Sequence, residues 1–153
     1  MPVREPLDPL DLLRDQVVRQ ALAGAWEGSE PGLIGGHEEG GFIVLAEEGN
    51  LSVKPWPIGE GNLIRVPRHA GCVVDGLPIV ATYHTHPNTG PEYLQEPSET
   101  DQRGVKEDAD LKGSLYVGEF VVASEMVYLV TPGGTMREMG ARTELLGQTE
   151  EHV

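Results

Sequence analysis

The sequence predicts one α/β (α+β) domain, in which a β-sheet is flanked by an N-terminal helix and a central helix. Three observations lead to this prediction. The chain has 153 residues, which is within the usual size of one domain. Short apolar runs of strand length alternate with turns rich in Gly and Pro, and two longer segments carry helix signals. Hydrophobic residues make up 39% of the chain and charged residues 24%, a balance typical of globular proteins.

The first predicted element is an N-terminal helix over about 9–25. Asp8 can cap free amides, and Pro9 lies at the first helical position, where its missing N–H costs nothing. Apolar residues then recur on one face: Leu10, Leu13, Val17 and Ala21. Glycines around 28–36 end the helix and lead into the first strand.

Six strands are predicted from short runs rich in apolar and β-branched residues. The first two form a hairpin that is closed by a turn at 48–50. The predicted strands cover 42–46, 51–54, 63–66, 79–83, 115–123 and 126–130.

A central, solvent-facing helix is predicted over 98–111, because this segment is rich in charge and contains no proline. No internal repeat interrupts the pattern. We therefore expect a single domain over 1–147, with its core over about 33–140 and a loose tail at 148–153.

The formal net charge is −14, from 25 acidic and 11 basic residues. This charge repels a phosphate backbone, so nucleic acid is not an expected partner. The acidic surface is compatible with two interpretations, a device for solubility or attraction of a basic partner.

Cys72 is the only cysteine, which excludes an internal disulfide and a Cys-x-x-Cys metal site. The first 14 residues lack the apolar run of a secretory signal, and no apolar run approaches membrane-spanning length. These features predict a soluble, cytoplasmic protein without a membrane partner.

Two histidines follow the predicted strand at 79–83. Residues i and i+2 of a strand lie on the same face, so His84 and His86 can reach one ion. Pro87 ends the strand and leaves this edge of the sheet open. The alternative is that the two histidines are a polar strand edge without a ligand.

Ser98 and Asp101 lie three residues apart at the start of the central helix, which places them on one side of its first turn. This spacing is also that of a helix-capping box. Together with the two histidines, however, Asp101 completes the ligand set of a catalytic zinc, which uses three protein ligands and leaves the fourth position to water.

Hydrolysis at such a site also needs a base that is not itself a ligand. Glu38 and Glu39 are the candidates, because they precede a buried strand and are flanked by glycines. Neighbouring strand residues face opposite sides, so only one of the two can face the metal. His37 and His69 lack partners at the spacing of metal ligands and are predicted to be surface or loop residues.

Three motifs thus occur in order along the chain: Glu38-x-x-Gly41, His84-x-His86-Pro87 and Ser98-x-x-Asp101. This order resembles that of the JAB/MPN (JAMM) zinc metallopeptidases. By this resemblance, the chain would be a divergent, bacterial-type member of the family. The resemblance implies a curved mixed sheet with flanking helices, the MPN/cytidine-deaminase-like architecture.

By the same resemblance, His84, His86 and Asp101 would bind zinc. Glu38, rather than Glu39, would be the general acid/base that activates the zinc-bound water, and Ser98 would stabilise the oxyanion. The implied activity is hydrolysis of a peptide or isopeptide bond in a protein or peptide substrate, with ubiquitin-like conjugates among the alternatives.

Two other functions are compatible with the same residues. One is a non-catalytic MPN-type module for protein interaction. The other is a cupin-like metalloenzyme, which also uses a His-x-His pair but needs a further histidine on a later strand, and none lies between His86 and His152. The long loop at 88–97 separates the histidines from the helix, and we expect it to influence substrate choice.

Overall fold

The computed structural model describes residues 7–32, 35–59, 64–90 and 94–147. The elements in these ranges are, in chain order, α1 (Pro9–Arg14), α2 (Gln16–Gly28), β1 (Gly40–Leu45), β2 (Leu51–Pro55), β3 (Val73–Val74), β4 (Leu77–Thr85), α3 (Glu99–Glu107), β5 (Glu119–Val122), β6 (Met126–Val130), β7 (Met136–Ala141) and α4 (Arg142–Leu146). Short 3₁₀ helices lie at Ala70–Cys72 and Ala109–Leu111. Among the described helices, none is both long enough and apolar enough to cross a membrane.

The described strands form one mixed sheet in the order β2-β1-β4-β5-β6-β7, with β3 paired to β4. Strands β4 and β5 are parallel, whereas the other neighbours are antiparallel. The predicted α/β (α+β) fold class with a mixed sheet is therefore confirmed.

Apolar clusters cover both faces of the sheet, and alternation along each strand divides the residues between them. In β5, Phe120 belongs to the cluster that includes Leu22 and Trp26 of α2. The next residue, Val121, belongs to the cluster that includes Val105 of α3. Helices α2 and α3 thus flank opposite faces, and β1 is buried along its whole length.

The N-terminal helix differs from the prediction because it is two helices rather than one. Asp15 has extended backbone angles, φ −65° and ψ 132°, and its side chain accepts hydrogen bonds from Val17 N and Val18 N. Asp15 therefore ends α1 and caps α2. Asp8 caps α1 through Leu10 N, as the sequence predicted.

The predicted strand at 63–66 is wrong for its described residues, 64–66, which form neither strand nor helix. Pro67 follows directly and cannot donate a ladder hydrogen bond. The predicted strand at 115–123 is also too long, because β5 begins only at Glu119. Gly118, with φ +133°, turns the chain just before it.

The central helix is shorter than the predicted 98–111. Asp108 leaves the helical conformation, with ψ 107°, and caps the following 3₁₀ helix through Asp110 N. Strand β7 and helix α4 were not predicted, because 136–146 lacks both a clear alternation and a side-chain cap at the helix start. The expected tail at 148–153 lies outside the described residues.

Candidate metal centre

His84 and His86 are brought together by the end of β4. Thr85 is the last residue of β4, and His86 N continues the pairing by donating to Val122 O at 2.8 Å. The extended backbone places both imidazoles on the same face, and their Nε2 atoms lie 3.2 Å apart. Both histidines are buried, with 3% and 8% of their surface exposed.

Asp101 reaches the histidines from the first turn of α3. Its Oδ2 lies 3.2 Å from His86 Nε2, and its Oδ1 lies 3.6 Å from His84 Nε2. The same carboxylate accepts from Ser98 N at 2.9 Å, and Ser98 Oγ accepts from Asp101 N at 3.0 Å. The capping box and the histidine contacts therefore coexist, so the two interpretations of Asp101 do not exclude each other.

The spacing of these atoms fits a tetrahedral metal ion. Ligand atoms at about 2.0 Å from zinc, separated by tetrahedral angles, lie about 3.3 Å from one another. One ligand atom each from His84, His86 and Asp101 can be chosen within 4.8 Å of the other two, and the closest pairs are 3.2 Å apart. These three residues could hold a metal ion.

The orientation of each imidazole is set through its Nδ1. His84 Nδ1 contacts the carboxylate of Glu119. His86 Nδ1 lies 3.0 Å from the backbone oxygen of Gln95. Since both acceptors take a proton from Nδ1, the lone pairs of the two Nε2 atoms face the space beside Asp101.

The histidines and carboxylates of this cluster shift the pKa values of Asp101 and His84. Burial opposes ionisation of Asp101, but hydrogen bonds from His84 and His86, when these rings are protonated at Nε2, outweigh burial and hold the pKa of Asp101 well below the usual range. Burial also disfavours a charged His84, yet Glu119 and Asp101 raise the pKa of His84 well above its usual value. The carboxylates of Asp101 and Glu119 therefore favour positive charge at His84.

Glu38 and Glu39 lie on opposite sides of the chain. Glu38, 6% exposed, lines the same cavity as His84 and Asp101. Glu39 Oε2 instead lies 3.0 Å from His37 Nε2, and it lies 2.7 Å from the position that a Cβ on Gly28 would take. Burial raises the pKa of Glu38, although His84 and His86 partly oppose that effect.

The cavity beside the cluster has a volume of about 440 Å³. Ser98 lines it together with Glu38, His84 and Asp101. Its remaining wall is largely apolar and includes Trp56 and Val105.

Asn88 connects the segment before Glu38 to the end of the histidine strand. Gly36 N donates to Asn88 Oδ1 at 2.7 Å, and Asn88 Nδ2 donates to Gly36 O at 3.3 Å. Asn88 is 2% exposed. The two hydrogen bonds therefore hold the segment that precedes Glu38 against the segment that follows His86. Short-range sequence patterns could not reveal this link.

Glu119 is the residue of the centre that the sequence prediction missed. A signal was present, because an acidic residue within the apolar run 115–123 must find a partner when the strand is buried. The partner is not visible in the sequence, since it depends on the parallel pairing of Thr82 with Glu119.

The His69 side chain contacts a carboxylate, although the sequence around His69 has no other residue at the spacing typical of metal ligands. Its Nε2 lies 2.7 Å from Asp108 Oδ2, and its Nδ1 lies 2.7 Å from Pro67 O. It is a loop residue, as predicted, but it is tied to the end of α3.

Comparison with known proteins identified one family model. The Prok-JAB model, described as prokaryotic homologs of the JAB domain, matches residues 14–142. That range includes Glu38, the two histidines and the start of α3 with Asp101. No curated protein and no solved structure matched the chain.

Proposed function

Because this chain belongs to the family of prokaryotic homologs of the JAB domain, we propose that it is a zinc-dependent metallopeptidase that hydrolyses a peptide or isopeptide bond. One observation carries the proposal. Ligand atoms from His84, His86 and Asp101 converge, and His84 and Asp101 line the same cavity as a buried carboxylate, Glu38. This arrangement supports a hydrolytic centre better than a surface for binding alone.

The ligand set agrees with a catalytic zinc in both number and charge. His84, His86 and Asp101 would hold the ion, and the fourth position would remain open to the cavity. When bound, zinc supplies a Lewis acid that polarises the scissile carbonyl and makes water more acidic.

Glu38 is the proton carrier in this proposal. Burial raises its pKa, which makes the carboxylate a better base than an exposed glutamate. Glu38 takes a proton from the attacking water and delivers it to the nitrogen of the scissile bond, so that the amine leaves uncharged.

Ser98 is proposed to support the oxyanion. Its Oγ already accepts from Asp101 N, so its own hydroxyl proton is free to be donated. Ser98 lines the cavity with Glu38, and a hydroxyl donor aimed at the developing oxyanion would lower the barrier.

The proposed substrate is a protein or peptide, and ubiquitin-like conjugates are one class to test. A zinc-dependent cleavage screen over ubiquitin-like fusions and short peptides would test the function directly. We expect the wild-type protein to cleave a member of the panel, to lose activity with a chelator and to recover it with added zinc.

Glu38→Gln provides the matched control, because it keeps the size of the side chain and removes the base. It should bind zinc but lose turnover by about 10²- to 10⁴-fold. A wild-type protein that binds zinc yet cleaves no member of the panel would instead support a non-catalytic interaction module.

A further inference from the structure

Glu119, Thr82 and Tyr116 form a continuous, buried to partly buried chain of hydrogen bonds that ends at His84 of the candidate metal centre. Thr82 Oγ1 donates to Glu119 Oε1 at 2.9 Å, and Thr82 Oγ1 lies 2.7 Å from Tyr116 Oη. The other carboxylate oxygen, Oε2, contacts His84 Nδ1. Both oxygens of Glu119 are therefore engaged.

The direction of every hydrogen bond in this chain follows from its chemistry. An ionised carboxylate only accepts, so Thr82 must donate to Glu119 and His84 Nδ1 must carry a proton. Because the Thr82 proton is used, the Tyr116 hydroxyl donates to Thr82. His84 is thereby left with a lone pair on Nε2, the atom that faces His86 and Asp101.

The fold makes this chain rigid. Thr82 and Glu119 are direct partners in the parallel pairing of β4 with β5, and His84 lies two residues further along β4. Thr82 is fully buried and Tyr116 is 4% exposed. Neither Glu119 nor the His84 ring can rotate without breaking buried hydrogen bonds.

His86 is oriented by a different kind of acceptor. Its Nδ1 faces the backbone oxygen of Gln95 in the loop before α3, whereas His84 faces a charged side chain within the sheet. A charged acceptor makes a stronger hydrogen bond than a neutral one and increases the basicity of the imidazole.

We propose that Glu119, anchored by Thr82 and Tyr116, is a positioning residue that holds the tautomer and orientation of His84 for metal binding. This inference rests on the metal site of the proposed function. It concerns metal affinity rather than turnover, so it can be tested without a substrate.

The test compares zinc dissociation constants, measured by competition with a chromophoric chelator. Glu119→Gln keeps the size of the side chain but removes its charge, and we expect it to weaken zinc binding by about 10- to 100-fold. Thr82→Val leaves the carboxylate but removes its anchor, and it should weaken binding in the same direction by a smaller factor. Glu48→Gln, on an exposed turn, is the matched control and should bind like the wild-type protein.

Two further readouts separate orientation from folding. The metal-free Glu119→Gln protein, in which the amide can still hydrogen bond to Thr82 and His84, should melt close to the metal-free wild type. In NMR spectra of the zinc-loaded protein, the His84 Nδ1–H proton should be shifted downfield and protected from exchange in the wild type, and it should move upfield in Glu119→Gln. Tyr116→Phe gives a second test of the anchor if Thr82→Val does not fold.

Equal zinc affinity in the wild type and in Glu119→Gln would overturn the positioning role and leave the proposed function intact. A wild-type protein that binds no zinc would instead overturn the metal site itself, and the positioning role with it.

Discussion

The Nε2 atoms of His84 and His86 lie 3.2 Å apart where the chain leaves the sheet at the end of β4. Two imidazoles at this distance repel each other if both are protonated, and each has its Nδ1 engaged elsewhere. The arrangement is stable in the presence of a shared cation, because one ion accepts a lone pair from each ring.

The two neighbouring glutamates should respond differently to the same substitution. Glu38→Gln should lower kcat by about 10²- to 10⁴-fold, because the base of the cavity is lost. Glu39→Gln should leave kcat nearly unchanged, since Glu39 contacts His37 outside the cavity. Steady-state kinetics on a substrate from the cleavage screen would measure both. Loss of activity in Glu39→Gln alone would show that the base had been assigned to the wrong residue.

Asp101 should show separable roles in capping and in metal binding. In Asp101→Asn an amide oxygen can still accept from Ser98 N, so the free energy of unfolding should fall by less than about 1 kcal/mol. Zinc affinity should nevertheless drop sharply, because a neutral amide is a poor zinc ligand. Ser98→Ala should show the reverse pattern, with about 1 kcal/mol lost from stability and zinc retained.

Chemical denaturation and chelator competition on the same preparations would measure both quantities. If Asp101→Asn bound zinc as tightly as the wild-type protein, Asp101 would be a cap and not a ligand.

The His69–Asp108 pair should make stability depend on pH. Burial lowers the pKa of His69, but hydrogen bonds to Pro67 O and to Asp108 outweigh it, so the pKa is raised above 6.5. Both ring nitrogens face acceptors, and only the protonated ring can donate to both. The stabilisation is therefore complete below about pH 6.5 and is lost as pH rises through the raised pKa.

His69→Gln provides the comparison for that pair. The difference in unfolding free energy between the wild-type protein and the variant should be largest at acidic pH and should shrink toward alkaline pH. A difference that stays constant with pH would mean that His69 is not protonated in the folded protein.

Gly40 should tolerate no side chain, because the sheet packs tightly around the start of β1. A Cβ at Gly40 would contact Tyr83 O and would lie 2.7 Å from Trp56 Cε3. Gly40→Ala should therefore destabilise the protein by about 1–3 kcal/mol. Gly24→Ala in α2 is the matched control, since a Cβ there meets nothing within 4 Å, and it should stabilise the helix by about 0.5–1 kcal/mol. Thermal melting of both variants would show whether the signs are opposite.

Local sequence signals predicted the parts of the fold that depend on local physics. Asp8 and Pro9 marked the start of the first helix, and β6 has the predicted bounds, Met126–Val130. The break at Asp15 was missed because its capping geometry competes with an apolar pattern that continues on both sides. Strand β7 lies at the sheet edge with largely exposed side chains, so its sequence lacks a buried face.

The candidate site, like the fold, was predictable only where it depends on local sequence. Spacing alone placed His84 and His86 on one face and Asp101 at a helix start, and the structure brings them together. The contacts of Glu119 and Gln95 with the imidazole rings were not predictable, because they depend on strand pairing and on the path of the loop before α3. Local spacing therefore identifies the candidate ligands, whereas long-range packing determines how their side chains are oriented.

The zinc content of the purified protein, measured by elemental analysis beside the double variant His84→Ala, His86→Ala, would show whether these residues bind zinc. We expect one zinc per chain in the wild-type protein and none in the double variant, with both proteins folded as judged by circular dichroism. A folded wild-type protein that takes up no zinc, or a double variant that retains it, would show that the proposed metal centre is wrong.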